Sequence, residues 1–336
     1  MSISPFPLAL SLGDPAGVGP ELIAEAWARR AELRLPPFLV VGARAVLVEA
    51  ARSRAITLAV TPISHPGEAV AAFADALPVL ELDAMVYAPG RPDARGARLS
   101  LAALETATDL ARAGEVGGLV TAPVAKAALA AVGFDHPGQT EFLAARCGLP
   151  TEAAVMMLAG PNVRTVPLTI HCAISAVPTM LSEELIVLRA RITAQALARD
   201  FGIARPRLAV CGLNPHAGEN GAFGDEEARI IAPAIARLRL EGIEATGPHA
   251  ADALFAPHKR ASFDAALCMY HDQALIPVKA LDFDQGVNTT LGLPIVRTSP
   301  DHGTAFDIAG QGVADAGAII AAIRLAGEIA TRRAVA

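Results

Sequence analysis

The chain is 336 residues long, 53% hydrophobic but only 4% aromatic, with a net charge of −6 in which both signs are interspersed. That length can bury one large core or two smaller ones, and an apolar content dominated by Ala, Val, Leu and Ile suits an α/β interior. No Lys/Arg tract or basic face is visible, which argues against nucleic-acid binding but leaves room for local positive charge toward an anionic small molecule.

Short apolar runs alternate with Ala-rich amphipathic stretches. In chain order the pattern predicts a strand at Leu8–Leu12, a helix at Pro20–Arg30 with proline in its first turn, and a strand at Phe38–Val41. Helices at Arg44–Ser53 and Leu99–Ala113 follow, then a strand at Gly118–Thr121 and helices near Lys126–Val132 and Thr140–Cys147. Val155–Leu158 and Val166–His171 read as strands that form a hairpin across the G-P-N-V-R turn. Beyond a long helix at Ser182–Phe201, strands are predicted at Arg207–Leu213, Ala265–Tyr270 and Leu293–Arg297, with helices at Glu226–Leu240 and Ala314–Arg333. Such alternation specifies an α/β fold with a largely parallel sheet.

Cys147, Cys172, Cys211 and Cys268 form no C-x-x-C pair. Reduced thiols are therefore expected. The N-terminal segment lacks a basic stretch followed by a signal-type apolar run, and no uncharged apolar run reaches membrane-spanning length. The expectation is a cytoplasmic protein without a membrane partner.

Single polar groups of different kinds crowd the stretch from Met269 to Asp315, separated by Gly and Pro, as in a site built from loops. His171, His216 and His271 each lie at or just past the carboxyl end of a predicted strand, where open α/β sheets form ligand sites. Three imidazoles converging there would hold a divalent metal with positions left for substrate. Each alone also fits a hydrogen-bonded loop histidine. Asp272, beside His271, would orient a ligand or cap its loop.

Other candidates carry two readings as well. The turn Gly13–Glu21 would favour an anion at the next helix start, or simply be a strained turn. Lys126 would meet a phosphate or carboxylate, or be a solvated first-turn residue. Gln139 and Thr140 are uncharged hydrogen-bonding groups before a helix, which Thr140 and Glu141 would otherwise cap. Arg297, after an apolar strand, suits bidentate binding of phosphate or carboxylate, or an ion pair with Asp301. Lys279 and Asn288 lie in the same polar stretch, and Asp252 is less informative.

Six segments together resemble the PdxA family, the 4-hydroxythreonine-4-phosphate dehydrogenases of pyridoxal phosphate biosynthesis: G-D-P-A-G-V-G-P-E, T-A-P-V-A-K, G-Q-T-E-F, G-L-N-P-H-A-G-E, M-Y-H-D-Q and G-V-N-T-T-L-G-L-P-I-V-R-T-S-P-D-H-G-T-A. They occur in family order and cover nearly the whole chain. The resemblance implies a two-domain α/β/α fold related to isocitrate and isopropylmalate dehydrogenases, with residues 1–120 and 285–336 in the first domain and 121–284 in the second. It implies a homodimer whose cleft holds one divalent ion per subunit (zinc, magnesium or cobalt) on His171, His216 and His271, shared between subunits. Thr140, Lys279, Asn288 and Arg297 match its substrate-binding positions, Gln139 is a further substrate-binding candidate beside them, and Lys279 and Asp252 are candidates for the catalytic base. The cofactor implied is NAD, or NADP.

Two departures bear on the substrate. The family usually has G-H-T-E where this chain has G-Q-T-E, and Gln139 hydrogen-bonds but cannot titrate. It also tends to have T-G-P-V-H-K against Ala122 and Ala125 here. The activity implied is oxidation of 4-phosphooxy-L-threonine to a β-keto acid that loses CO2 to give 3-amino-2-oxopropyl phosphate. D-threonate or D-erythronate 4-phosphate is the rival substrate class. A metal-dependent hydrolase is the rival reaction, and a binding protein without turnover the remaining alternative.

Overall fold

The computed structural model describes residues 6–335. Its strands, in chain order, are β1 (Leu8–Ser11), β2 (Phe38–Gly42), β3 (Val60–Pro62), β4 (Leu77–Glu81), β5 (Gly118–Thr121), β6 (Val155–Ala159), β7 (Arg164–Pro167), β8 (Arg207–Cys211), β9 (Glu244–His249), β10 (Ala265–Cys268), β11 (Val287–Leu291) and β12 (Arg297–Pro300). The chain divides into two compact units, one of Met1–Thr151 with Leu293–Val335 and one centred on Glu152–Gly292.

In the first unit the strand order is β3-β4-β2-β1-β5-β12, and every pairing is parallel. Strands β1, β2 and β5 are buried along their whole length, which is why they read as unbroken apolar runs rather than alternating ones. The helix Ala94–Arg112 starts where Asp93 accepts the Gly96 N–H at 2.7 Å, and buries Leu99, Ala103, Leu104 and Ala107 against the sheet.

In the second unit the order is β11-β6-β7-β10-β8-β9. The predicted hairpin is there as the antiparallel pair β6–β7, while β7, β10, β8 and β9 run parallel. The helix Glu183–Phe201 is capped by Ser182, which accepts the Leu185 N–H, and stops at Gly202 in the left-handed conformation (φ 70).

The division differs from the expected one at both crossings. Residues 121–151 lie with the first unit. There β5 pairs with β1, and Arg146 forks onto Asp109 of the helix Ala94–Arg112. Residues 285–292 lie with the second, because β11 pairs antiparallel with β6 over five residues. The strand expected at Leu293–Arg297 begins only at Arg297, after the turn at Gly292–Pro294. No helix among the described residues is long and apolar enough to cross a membrane.

Candidate functional site

In the second unit β7, β10 and β8 are adjacent and parallel, so the loops that carry His171, His271 and His216 leave one edge of the sheet side by side. Hydrogen bonds tie these loops together. Thr169 Oγ1 donates to the Met269 carbonyl at 2.8 Å. The Gln273 amide accepts from Met269 N at 2.6 Å and donates to the Gly212 carbonyl at 2.8 Å. One side chain thus joins the end of β10 to the end of β8.

The rings of His171 and His271 lie 6.0 Å apart between centroids. With metal–nitrogen bonds of about 2.1 Å, two imidazoles on one ion place their centroids roughly 4.6–5.3 Å apart, so the pair is slightly wider than a shared-cation spacing. His271 opens the helix His271–Leu281, and its Nδ1 is 2.7 Å from Asp272 Oδ1. Donation from Nδ1 to that carboxylate leaves Nε2 as the lone-pair nitrogen. A cavity of about 320 Å3 is lined by both histidines with Cys172, Tyr270 and Asp272.

His216 lies in the neighbouring loop after β8. It sits in a left-handed stretch in which His216, Ala217, Gly218, Glu219 and Asn220 have φ of 52, 51, 79, 41 and 54. Its ring packs 6.1 Å from that of Phe223. Among the described residues no three His, Cys, Asp or Glu side chains are grouped closely enough to hold a metal ion. The stretch is clamped at its start by Glu227, only 6% exposed. One carboxylate oxygen of Glu227 accepts the N–H groups of Leu213 and Asn214, both at 2.7 Å, and the other accepts Asn214 Nδ2 at 3.0 Å.

Asp252 lines a second cavity of about 390 Å3 that shares Tyr270 and Asp272 with the first. Lys279, on the helix His271–Leu281, places Nζ 5.4 Å from the ring centroid of Phe283. Asn288 lies on β11 with its amide oxygen buried and unpartnered, an acceptor position that a half-turn of the amide would make a donor.

In the first unit Arg297 opens β12 and is 4% exposed. Its Nη2 donates to Thr121 Oγ1 at 2.9 Å and to Gln139 Oε1 at 3.0 Å. Burial pushes its pKa down to about 10, against the pull of Glu141, so it remains a cation at neutral pH. Gln139 begins the helix Gln139–Arg146, with Gly138 at the cap position. Thr140 therefore lies inside the first turn and does not cap it. Lys126 Nζ and Glu141 Oε2 come within 3.7 and 3.0 Å of where a side chain on Gly138 would begin. His136 packs against Phe134 and Phe142, at 5.4 and 5.5 Å between ring centroids. The turn at Gly13 is a tight packing turn: φ is 74, and a Cβ there would lie 2.6 Å from the Pro123 carbonyl.

Sequence reasoning missed Thr169, Gln273 and Glu227. Gln273 sits in the M-Y-H-D-Q segment, but nothing in a sequence says which strand end its amide will reach. Glu227 lies in an ordinary acidic helix start.

Residues 34–326 match a family model described as pyridoxal phosphate biosynthetic protein PdxA. The chain is 64% identical over 328 residues to the 4-hydroxythreonine-4-phosphate dehydrogenase of Erythrobacter litoralis, covering 98% of each chain. The solved 4-hydroxythreonine-4-phosphate dehydrogenase of Klebsiella pneumoniae is similar at 38% identity and a TM-score of 0.85, over 97% of this chain and 98% of that one. A terephthalate 1,2-cis-dihydrodiol dehydrogenase of Burkholderia xenovorans is similar at 32% identity and a TM-score of 0.65, over 96% and 98%.

Proposed function

The chain belongs to the PdxA family of pyridoxal phosphate biosynthetic proteins, and from that membership we propose that it oxidises 4-phosphooxy-L-threonine (4-hydroxythreonine 4-phosphate) at C3. The product is 2-amino-3-oxo-4-phosphooxybutanoate, a β-keto acid that loses CO2 to give 3-amino-2-oxopropyl phosphate, a step of vitamin B6 synthesis. Identity of 64% over nearly the full length to a relative bearing that activity supports the substrate. The observation that carries the chemistry is the neighbouring pair His171 and His271, with Asp272 on the Nδ1 of the second.

His171 and His271, with His216 brought to them from the neighbouring loop, would hold a divalent ion (zinc, magnesium or cobalt) whose Lewis acidity would lower the pKa of the substrate hydroxyl, with NAD or NADP as hydride acceptor. Arg297 and Lys279 neutralise the anionic groups of the substrate, Arg297 through its planar fork. Asn288, Gln139 and Thr140 orient it. Lys279 or Asp252 accepts the hydroxyl proton. The working form is a cytoplasmic homodimer with the metal shared between subunits.

The test follows NADH absorbance with 4-phosphooxy-L-threonine before and after treatment with a chelator. Turnover that stops on chelation and returns with added metal is expected; full turnover by verified metal-free enzyme would sink the metal's role. A second substrate reading draws on Gln139 in place of the usual family histidine. Under it the same oxidation acts on D-threonate or D-erythronate 4-phosphate, and a panel of the three compounds separates the readings.

A further inference from the structure

The Arg297 guanidinium is gripped through one terminal nitrogen by two neutral acceptors from different elements. Thr121 Oγ1 is fixed on the buried strand β5, whereas Gln139 Oε1 comes from the first residue of a helix outside the sheet. We propose that Gln139 is a positioning residue: its amide oxygen sets the rotation of the Arg297 guanidinium, and so sets how that cation meets a phosphate or carboxylate of the substrate. This rests on the assignment of Arg297 to substrate recognition made above.

The charges around the pair explain why an amide serves there. Glu141, two residues along the same helix, already attracts Arg297. A carboxylate at 139 would add to it, neutralise the guanidinium and repel an anion. Lys126, from the neighbouring helix Lys126–Ala130, reaches toward Gly138, so a cation at 139 would face both Lys126 and Arg297. His136, in the preceding loop, is engaged with Phe134 and Phe142. An amide oxygen holds the guanidinium without adding charge, and it accepts at every pH.

Two variants test this, read as KM and kcat for 4-phosphooxy-L-threonine with NAD between pH 5.5 and 8. Each value is divided by that of the unmodified enzyme, which cancels the ionisation of the substrate phosphate near pH 6. In Gln139→His the imidazole meets two cations, Lys126 and Arg297, which hold its pKa below the ordinary value of about 6.5, so the neutral ring still accepts from Arg297 at neutral pH. The KM ratio should stay within about threefold of unity at pH 7.5, with the kcat ratio within about twofold. Gln139→Leu should raise KM about tenfold at every pH, the cost of losing one hydrogen bond to a charged group. A residue that merely starts a helix would not separate the two variants. A tenfold rise in KM for Gln139→His at pH 7.5, or an unchanged KM for Gln139→Leu, in protein with native near-ultraviolet circular dichroism overturns the proposal. Arg297→Met separates the two layers. If it raises KM while the Gln139 variants do not, only the positioning role falls; if it leaves KM unchanged, the assignment of Arg297 falls as well.

Discussion

Replacing Glu227 by Gln should open the His216 loop without unfolding the protein. The loop is costly to hold. His216, Ala217, Glu219 and Asn220 are non-glycine residues in the left-handed region, at about 1–2 kcal/mol each, on the order of 4–8 kcal/mol together. Glu227 opposes that cost through three hydrogen bonds to Leu213 and Asn214. Glutamine keeps one acceptor oxygen for the two backbone N–H groups, but without the charge that strengthens those bonds. Its NH2 would then face Asn214 Nδ2, donor against donor. Flipping the Asn214 amide gives no escape, because Nδ2 also donates to Glu226 Oε2 at 2.8 Å. Losing one charge-assisted bond and creating this clash should cost about 2 kcal/mol, roughly a thirtyfold rise in local opening. Hydrogen exchange by mass spectrometry reads it directly: amides from Leu213 to Gly221 should exchange faster, while those of β8 keep their protection. Unchanged exchange in that segment would refute the view that the Glu227 carboxylate holds the loop.

Two further predictions concern the two ends of these strands. His171→Ala and His271→Ala should each lose bound divalent metal, measured by elemental analysis after dialysis, while keeping a native far-ultraviolet spectrum; metal content equal to the unmodified protein in both would remove the pair from the ligand set. Asp264, just before β10, accepts from Arg207 N, Nε and Nη2 at 2.8, 3.1 and 3.0 Å, which clamps the starts of β8 and β10. Burial raises its pKa, but the bonds to Arg207 and the nearby cations outweigh that, so the carboxyl ends below its ordinary value. A depressed folded pKa contributes stability above the unfolded value of about 3.9 and loses it as pH falls through the folded one. Asp264→Asn should therefore narrow the gap in melting temperature between pH 6 and pH 2.5, and an identical gap would show that the pair does not matter there.

The parts of the fold legible in the sequence were those whose chemistry matched their burial. L-A-L-S and F-L-V-V-G announced β1 and β2 because a parallel strand covered on both faces has no polar alternation. The missed elements break local rules. Strand β9, E-A-T-G-P-H, holds Pro248 and survives because it lies at the end of the strand order, where a missing N–H leaves no ladder partner wanting. The helix His271–Leu281 contains Pro277, which forfeits the bond to the carbonyl four residues back. For the site, strand-end positions were readable for all three histidines, but the adjacency of β7, β10 and β8 was not. Strand order depends on which surfaces pack, not on any local pattern. Nor could spacing reveal that the rings of His171 and His271 lie 6.0 Å apart, or that His216 sits in a left-handed loop.

The side chain of Gln273 has to give and take a proton-mediated contact at once, toward two different neighbours. Glutamate would have nothing to offer the Gly212 carbonyl, lysine nothing with which to receive Met269, and asparagine is one methylene shorter. A single primary amide thus acts as a rivet whose two ends cannot be swapped for charge. The histidine-bearing turn after β10 is thereby tied to the glycine that begins the turn after β8.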